Sequence, residues 1–188
     1  MARFRDSVPI RLRVVSGKQI PTALYAQLRR PLQRLFIVTP FLEDYEFFGR
    51  GPLSVFLSKQ LSEGAGVTML TMPPEGTNGT KSSFLRKYRL MHLFSTRGAD
   101  VLFNRRLHAK VFLFDETEIT KACILGSANL TTAAMNDRLE IAIFTYNRKL
   151  FDEVLAIVYK FMNDPTTMTF MQWKHREATK IRAIAEVE

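Results

Sequence analysis

Short apolar runs of strand length, separated by segments with helical periodicity, constrain the fold of this chain more than any other feature. LFIVTPF at 35–41 and VTMLTM at 67–72 are uninterrupted, the pattern of strands buried on both faces of a parallel sheet. ADVLFN at 99–104, HAKVFLFD at 108–115, KACILG at 121–126 and LEIAIFTY at 139–146 read as four further strands. IRLRVV at 10–15 alternates apolar and basic residues, as a half-buried edge strand does. Residues 18–33 place Leu24, Leu28 and Leu32 at helical spacing despite Pro21 and Pro31, and residues 50–63 put Val55, Phe56, Leu57 and Leu61 on one stripe. Residues 81–97 read as a basic amphipathic helix with Phe84, Leu85, Tyr88, Met91 and Leu93 inside. Residues 129–136 read as a short helix, 149–162 as a longer one, and PPEGTNGT at 73–80 as a loop. The alternation implies an α/β fold: a mixed β-sheet flanked by helices on both faces, in one domain over 1–188. The run from Trp173 onward reads either as a closing helix or as the start of something longer.

With 46% hydrophobic residues, 15 of them Phe, the chain has the composition of a packed domain and not of a disordered one. No apolar stretch approaches the roughly 18 residues of a membrane span. The N-terminus is charged throughout and lacks the apolar segment of a secretory signal, so a cytoplasmic location is expected. Cys123 is the only cysteine; in ACIL it reads as a small buried hydrophobe, and one Cys builds neither an internal disulfide nor a Cys-based zinc site.

The net charge is +9 and unevenly spread. Residues 1–34 and 81–110 each carry eight Lys/Arg against one Asp, +7 per block, which leaves −5 for the remainder. Such asymmetry suits a polyanionic partner. A solvated basic surface without a partner has the same signature, and charge alone does not choose between the two.

Groups able to do chemistry concentrate between 108 and 140. On a strand, His108 and Lys110 share a face with Phe112 and Phe114. An imidazole beside an ammonium is unfavourable unless an anion lies between them, and a Lys in an apolar strand is expensive to bury. In ILGSANLT, an apolar strand ends at Gly126, and Ser127 and Asn129 read as opening a helix, where backbone N–H groups bind phosphate. Ser and Asn are also ordinary helix caps. Glu140 heads an apolar strand, placed either to orient an imidazole or as a plain surface charge.

Taken together, H-x-K-x4-D (His108, Lys110, Asp115), then G-S-x-N (Gly126, Ser127, Asn129), then Glu140 eleven residues after the Asn, closely resemble the HKD motif of the phospholipase D superfamily. The resemblance covers residues 20–165. It departs from the family where ETEITKACIL makes the gap between Asp115 and Gly126 longer than usual, which implies a longer hairpin turn.

The resemblance implies a phosphodiester reaction without metal or other cofactor. One histidine attacks phosphorus to form a phosphohistidine, and a second protonates the leaving oxygen and later activates water. His108 suits either role. Lys110, Ser127 and Asn129 would hold the phosphoryl oxygens, Glu140 would fix a histidine tautomer, and Asp115 would support its strand and loop. Family sites need two such motifs and this chain has one, since neither His92 nor His175 is followed by a Lys two positions on. A symmetric homodimer with paired His108 residues, titrating as a coupled pair, is therefore implied. A small basic chain with one motif resembles the nuclease branch, acting on DNA or RNA. Arg105 and Arg106, just before His108, and Arg86, Lys87 and Arg89 in the basic helix are the expected nucleic-acid contacts. Tyr88 is a candidate for base stacking, whereas Phe103 fits packing better. No known readout motif is present, so specificity would come from a separate subunit or domain. Two other readings are a phospholipid phosphodiesterase or phosphatidyltransferase, with FLEDYEFFG at 41–49 as its apolar surface, and a catalytically silent nucleic-acid-binding subunit. The three acidic residues of that stretch oppose anionic membranes, and no membrane partner is expected.

Overall fold

The computed structural model describes residues 12–74, 81–117, 119–136, 139–179 and 181. In chain order the elements are β1 (Leu12–Ser16), α1 (Gln19–Leu28), β2 (Arg34–Val38), α2 (Leu53–Ser62), β3 (Gly66–Thr71), α3 (Lys81–Thr96), β4 (Asp100–Phe103), β5 (Val111–Asp115), β6 (Lys121–Gly126), α4 (Thr132–Asn136), β7 (Ile141–Thr145), α5 (Arg148–Met162), β8 (Met168–Thr169) and α6 (Phe170–Arg176). The strands form one mixed sheet in the order β1-β7-β6-β5-β2-β3-β4-β8. The uninterrupted apolar runs became the parallel pair β2–β3, with β4 parallel to β3. Parallel neighbours need crossovers, and α2 and α3 supply them. β5 and β6 form an antiparallel hairpin whose last pair is Asp115↔Lys121, so the longer gap leaves the register intact.

Alternation along β5 sorts the core. Phe112 and Phe114 point to the face covered by α1, α2, α3 and α6, while Val111 and Leu113 point to the face covered by α5. Asn147 caps α5 by accepting the Leu150 N–H (2.8 Å), and Phe151, Val154, Leu155 and Val158 form its buried stripe. Cys123 lies buried beneath this helix, and burial pushes its thiol up to about 11. The first helix is shorter than its leucine spacing suggests. Pro21 is tolerated in the first turn, but Pro31 bars Arg30 from helical geometry, and α1 ends at Leu28.

β8 was not anticipated, and of the two readings of the run from Trp173 the closing helix is the one observed, beginning at Phe170. β8 pairs with β4, and α6 closes that end of the sheet. A capping box between Thr169 and Gln172 starts α6 and sets Trp173 against Phe84, Phe103 and Phe170. This cluster also decides the base-stacking candidates: Phe103 is fully buried, and half-buried Tyr88 lies among Phe84, His92 and Phe170. Phe103 therefore offers no ring face to a base. Among the described residues no helix is long and apolar enough to cross a membrane.

Candidate active site

Because β5 is antiparallel to β2 and β6, and β6 to β7, the start of β5, the end of β6, the start of β7 and the end of β2 meet at one edge of the sheet. His108, Lys110, Gly126, Ser127, Glu140 and Thr39 all lie there. His108 and Lys110 precede β5 and are not within it, because β2 pairing stops at Val38↔Val111. His108 is exposed, with its ring free of the core. Lys110 is half-buried, not buried as its apolar neighbours suggest, and its Nζ donates to the His108 carbonyl (2.9 Å).

Gly126 holds the edge together. Its N–H donates to the Lys110 carbonyl (3.2 Å), which ties the end of β6 to the residue before β5. A Cβ here would strike the Ile141 carbonyl and lie 2.7 Å from Ala142 Cα, so only glycine fits. Gly126→Ala is expected to cost about 1–3 kcal/mol through this clash. A lowered melting temperature, together with a loss of activity larger than that of an exposed control, would bear this out; unchanged stability would contradict it.

Ser127 and Asn129 do not cap a helix, contrary to the sequence reading. The chain is not helical there: Leu130 bridges Leu42, and α4 begins only at Thr132. The Thr132 N–H already donates to Glu43 Oε2 (2.8 Å), so a carboxylate occupies that helix start. The Ser127 hydroxyl instead donates to Glu140 Oε2, and the Ile141 N–H donates to Ser127 Oγ (3.2 Å). Glu140, expected beside a histidine, is thus anchored by Ser127 within the protomer. Asn129 Oδ1 lies 3.3 Å from Thr39 Oγ1, whose one proton is shared with the Phe41 carbonyl, and the amide NH2 is the donor end of Asn129.

Two positioning residues escaped the sequence reading. Thr39 is fully buried, and its hydroxyl lies between Asn129 Oδ1 and the Phe41 carbonyl (3.0 Å). Asn104 is buried too. Its Nδ2 donates to Thr167 Oγ1 (2.8 Å) and its Oδ1 accepts the Arg106 N–H (2.8 Å), folding the turn that delivers His108. An Asn ending an apolar run just before two arginines was the available signal, since Asn side chains build turns of this kind.

The remaining predicted residues divide between two places. Arg86, Lys87 and Arg89 line a cleft of about 510 Å³ between α3 and the segment after β2, with Glu43, Asp44 and Thr132 opposite. Lys87 Nζ also stands 5.3 Å from the centre of the Phe41 ring. Arg105 and Arg106 are exposed in the turn before His108, and Arg105 pairs with Glu177 (3.8 Å). Asp115 lies at the opposite end of β5, about 17 Å from Lys110 at strand spacing. There it accepts from Arg34 Nε and Nη2 (3.0 and 2.6 Å) and from Lys121 Nζ (2.9 Å). These hydrogen bonds to Asp115 raise the pKa of Arg34 above its usual value. In the Phe-rich stretch 41–49, Tyr45 and Phe47 are buried against Tyr25 and Phe56, while Phe41 and Phe48 are exposed.

An exposed imidazole, an ammonium, an amide donor and a hydroxyl–carboxylate pair thus converge on one edge. Together they can grip an anion and supply a nucleophile. A family model described as the cardiolipin synthase, PLD-like domain matches residues 24–162. Nuc from Salmonella typhimurium, a phospholipase D family member, has a similar fold (TM-score 0.64, 16% identity, covering 85% of this chain and 98% of that one). NucT from Helicobacter pylori is equally similar (TM-score 0.64, 12% identity, 86% and 99%). Phosphatidylserine synthase from Haemophilus influenzae Rd KW20 shares the fold over 97% of this chain and 48% of its own (TM-score 0.64, 16% identity). No curated protein matches. With the family model spanning most of its length and the fold shared with family structures, this chain belongs to the phospholipase D superfamily.

Proposed function

We propose that the protein is a metal-independent phosphodiesterase that cleaves DNA or RNA through a phosphohistidine on His108, at an active site completed by a second copy of the chain. The observation that carries this reading is the exposed His108 imidazole at the same sheet edge as Lys110, Ser127, Asn129 and Glu140, with a single such set per chain. His108 attacks phosphorus; a P–N bond forms as the P–O bond to the leaving strand breaks. His108 of the partner subunit gives its proton to the leaving oxygen and then takes one from water, which attacks phosphorus and releases His108. Lys110 and the Asn129 amide neutralise and hold the phosphoryl oxygens. Glu140, kept in place by Ser127, fixes the tautomer of a histidine in the shared site.

Nucleic acid suits the charge placement better than lipid does. Arg86, Lys87 and Arg89 on the cleft and Arg105 and Arg106 beside His108 are arranged to follow a backbone of phosphates. The stretch at 41–49 exposes two rings, Phe41 and Phe48, beside Glu43, Asp44 and Glu46, whose charge opposes an anionic lipid surface. Sequence readout would belong to a separate subunit or domain.

The test is product analysis on end-labelled single-stranded and duplex DNA and RNA with EDTA present. Cleavage of at least one of these substrates that persists in chelator is the expected result. Loss of all cleavage in EDTA, or turnover of phosphatidylcholine without oligonucleotide cleavage, would contradict the reading.

A further inference from the structure

The basic block at 1–34 divides, within the described residues, into paired and unpaired charges. Arg34 is held by Asp115 and Arg30 by Glu116 (2.8 Å). Arg13 and Lys18 are exposed and pair with no carboxylate among the described residues. Both line a groove of about 430 Å³ between α1 and the edge strands β1 and β7, together with Arg30, Gln27 and Tyr146. No described residue lining it is acidic, and Ala23 and Ala26 leave room on the side of α1. One end lies at the catalytic edge, where the Gly17 N–H donates to the Glu140 carbonyl (3.2 Å) just before Lys18. From there the groove follows β7 to Tyr146, a run of about 17 Å at strand spacing. Its far end holds a buried polar group without a partner. Gln27 is 2% exposed; its Nε2 donates to the Tyr146 hydroxyl (3.0 Å), and its Oε1 accepts from no described residue. A buried amide oxygen without a donor is destabilising, and such groups are rare. Tyr146, the partner of this amide, is 44% exposed and able to turn, so an entering ligand can take its place.

We infer that this groove is a subsite outside the catalytic pocket that binds one unpaired nucleotide in the flank of the substrate, an inference that rests on the nuclease reading above. Arg13 and Lys18 take phosphates, the Tyr146 ring stacks on the base, and an N–H of the base edge donates to Gln27 Oε1. Each part of the groove selects this ligand. Two unpaired cations call for an anion, while an exposed ring beside a buried amide calls for a planar group with an N–H. A simple phosphate would leave the amide as it is. The volume is that of a small-molecule site, with room for a nucleotide and none for a duplex. In a duplex the N–H groups of the pairing edge are already engaged, so the flank must be single-stranded.

The test is fluorescence anisotropy with a labelled single strand of about 20 nucleotides, in the full chain carrying His108→Ala so that the strand is held and not cut. Three changes are compared in that background: Arg13→Ala with Lys18→Ala, Gln27→Leu, and a control, Lys149→Ala with Lys160→Ala. The control removes the same charge from exposed positions on α5. Affinity is expected to fall about tenfold or more for the first two and less than about twofold for the control. Gln27→Leu is expected to keep or raise the melting temperature, because the unpartnered oxygen is gone, which a merely structural glutamine would not do. In the active protein, the same groove changes are expected to raise KM for the strand and to leave hydrolysis of bis(p-nitrophenyl) phosphate, too small to reach the groove, unchanged. Groove variants that bind like the control would overturn the subsite, and so would equal losses on the strand and the small diester. Should Gln27→Leu not fold, Arg13→Ala with Lys18→Ala decides by the same outcomes. Binding that depends on the groove in a protein whose native His108 form cuts no oligonucleotide would remove the nuclease reading and keep the groove as a nucleic-acid site.

Discussion

His108→Ala is expected to abolish phosphodiester cleavage, with a fall of about 10^4-fold or more, while the protein keeps its melting temperature. The side chain is exposed and beyond the last residue paired between β2 and β5, so its removal leaves no cavity. No other imidazole can substitute. His92 is stacked between Tyr88 and Phe170 on α3, and His175 lies on α6. In a symmetric dimer the substitution removes nucleophile and leaving-group acid together, so the loss is expected to exceed that of Lys110→Ala, which weakens only the grip on phosphate. Steady-state rates on one oligonucleotide, with thermal melts of each variant, check this. Residual activity within about tenfold of wild type would assign the chemistry elsewhere.

Asp115→Ala is expected to be the most destabilising single change, at about 3–5 kcal/mol. Asp115 and Lys121 are buried, and Lys121 Nζ has the Asp115 carboxylate on one side and the Phe151 ring, 4.9 Å away, on another. Without the carboxylate, the ammonium is stranded in the interior. Arg34 is partly exposed and can turn to water, so it adds little to the loss. Replacing both partners, Asp115→Leu with Lys121→Met, is expected to recover most of the stability, because the cost lies in the unpaired charge and not in the missing bond. Denaturant midpoints of the three proteins decide it; a double variant no more stable than Asp115→Ala would contradict the explanation. Since Asp115 lies at the far end of β5, activity of the folded fraction is expected to survive.

What could be read from the sequence was local in origin. β2 and β3 announced themselves as continuous apolar runs, and the two-residue period of HAKVFLFD sorted Phe112 and Phe114 from Val111 and Leu113 before any partner was known. The residues of the motif fell on one sheet edge, apart from Asp115, because an antiparallel hairpin brings the start of one strand beside the end of the next. What could not be read was set by partners distant in the chain. That Leu130 lies outside a helix goes with its bridge to Leu42, and where β5 starts depends on where β2 ends. Thr39 gains its role from Asn129, 90 residues away, and Asn104 from Thr167. α6 carried its capping signal in Thr169 and Gln172, but its value comes from a Trp173 pocket built by α3 and β4. The exposed side of β1 is a further instance: alternation marked the strand as half-buried, yet Leu12 and Val14 are exposed, because α5 reaches only over β6, β5 and β2.

Covalent capture of the substrate is the most direct measurement of the chemistry. A reaction on an oligonucleotide carrying labelled phosphorus at the scissile position, quenched with base within the first turnovers, is expected to leave label on the protein. Its linkage should resist alkali and break in acid, as a phosphoramidate does, and peptide mapping should place it on His108. No label at steady-state turnover, or label on a residue other than His108, would contradict nucleophilic attack by this imidazole.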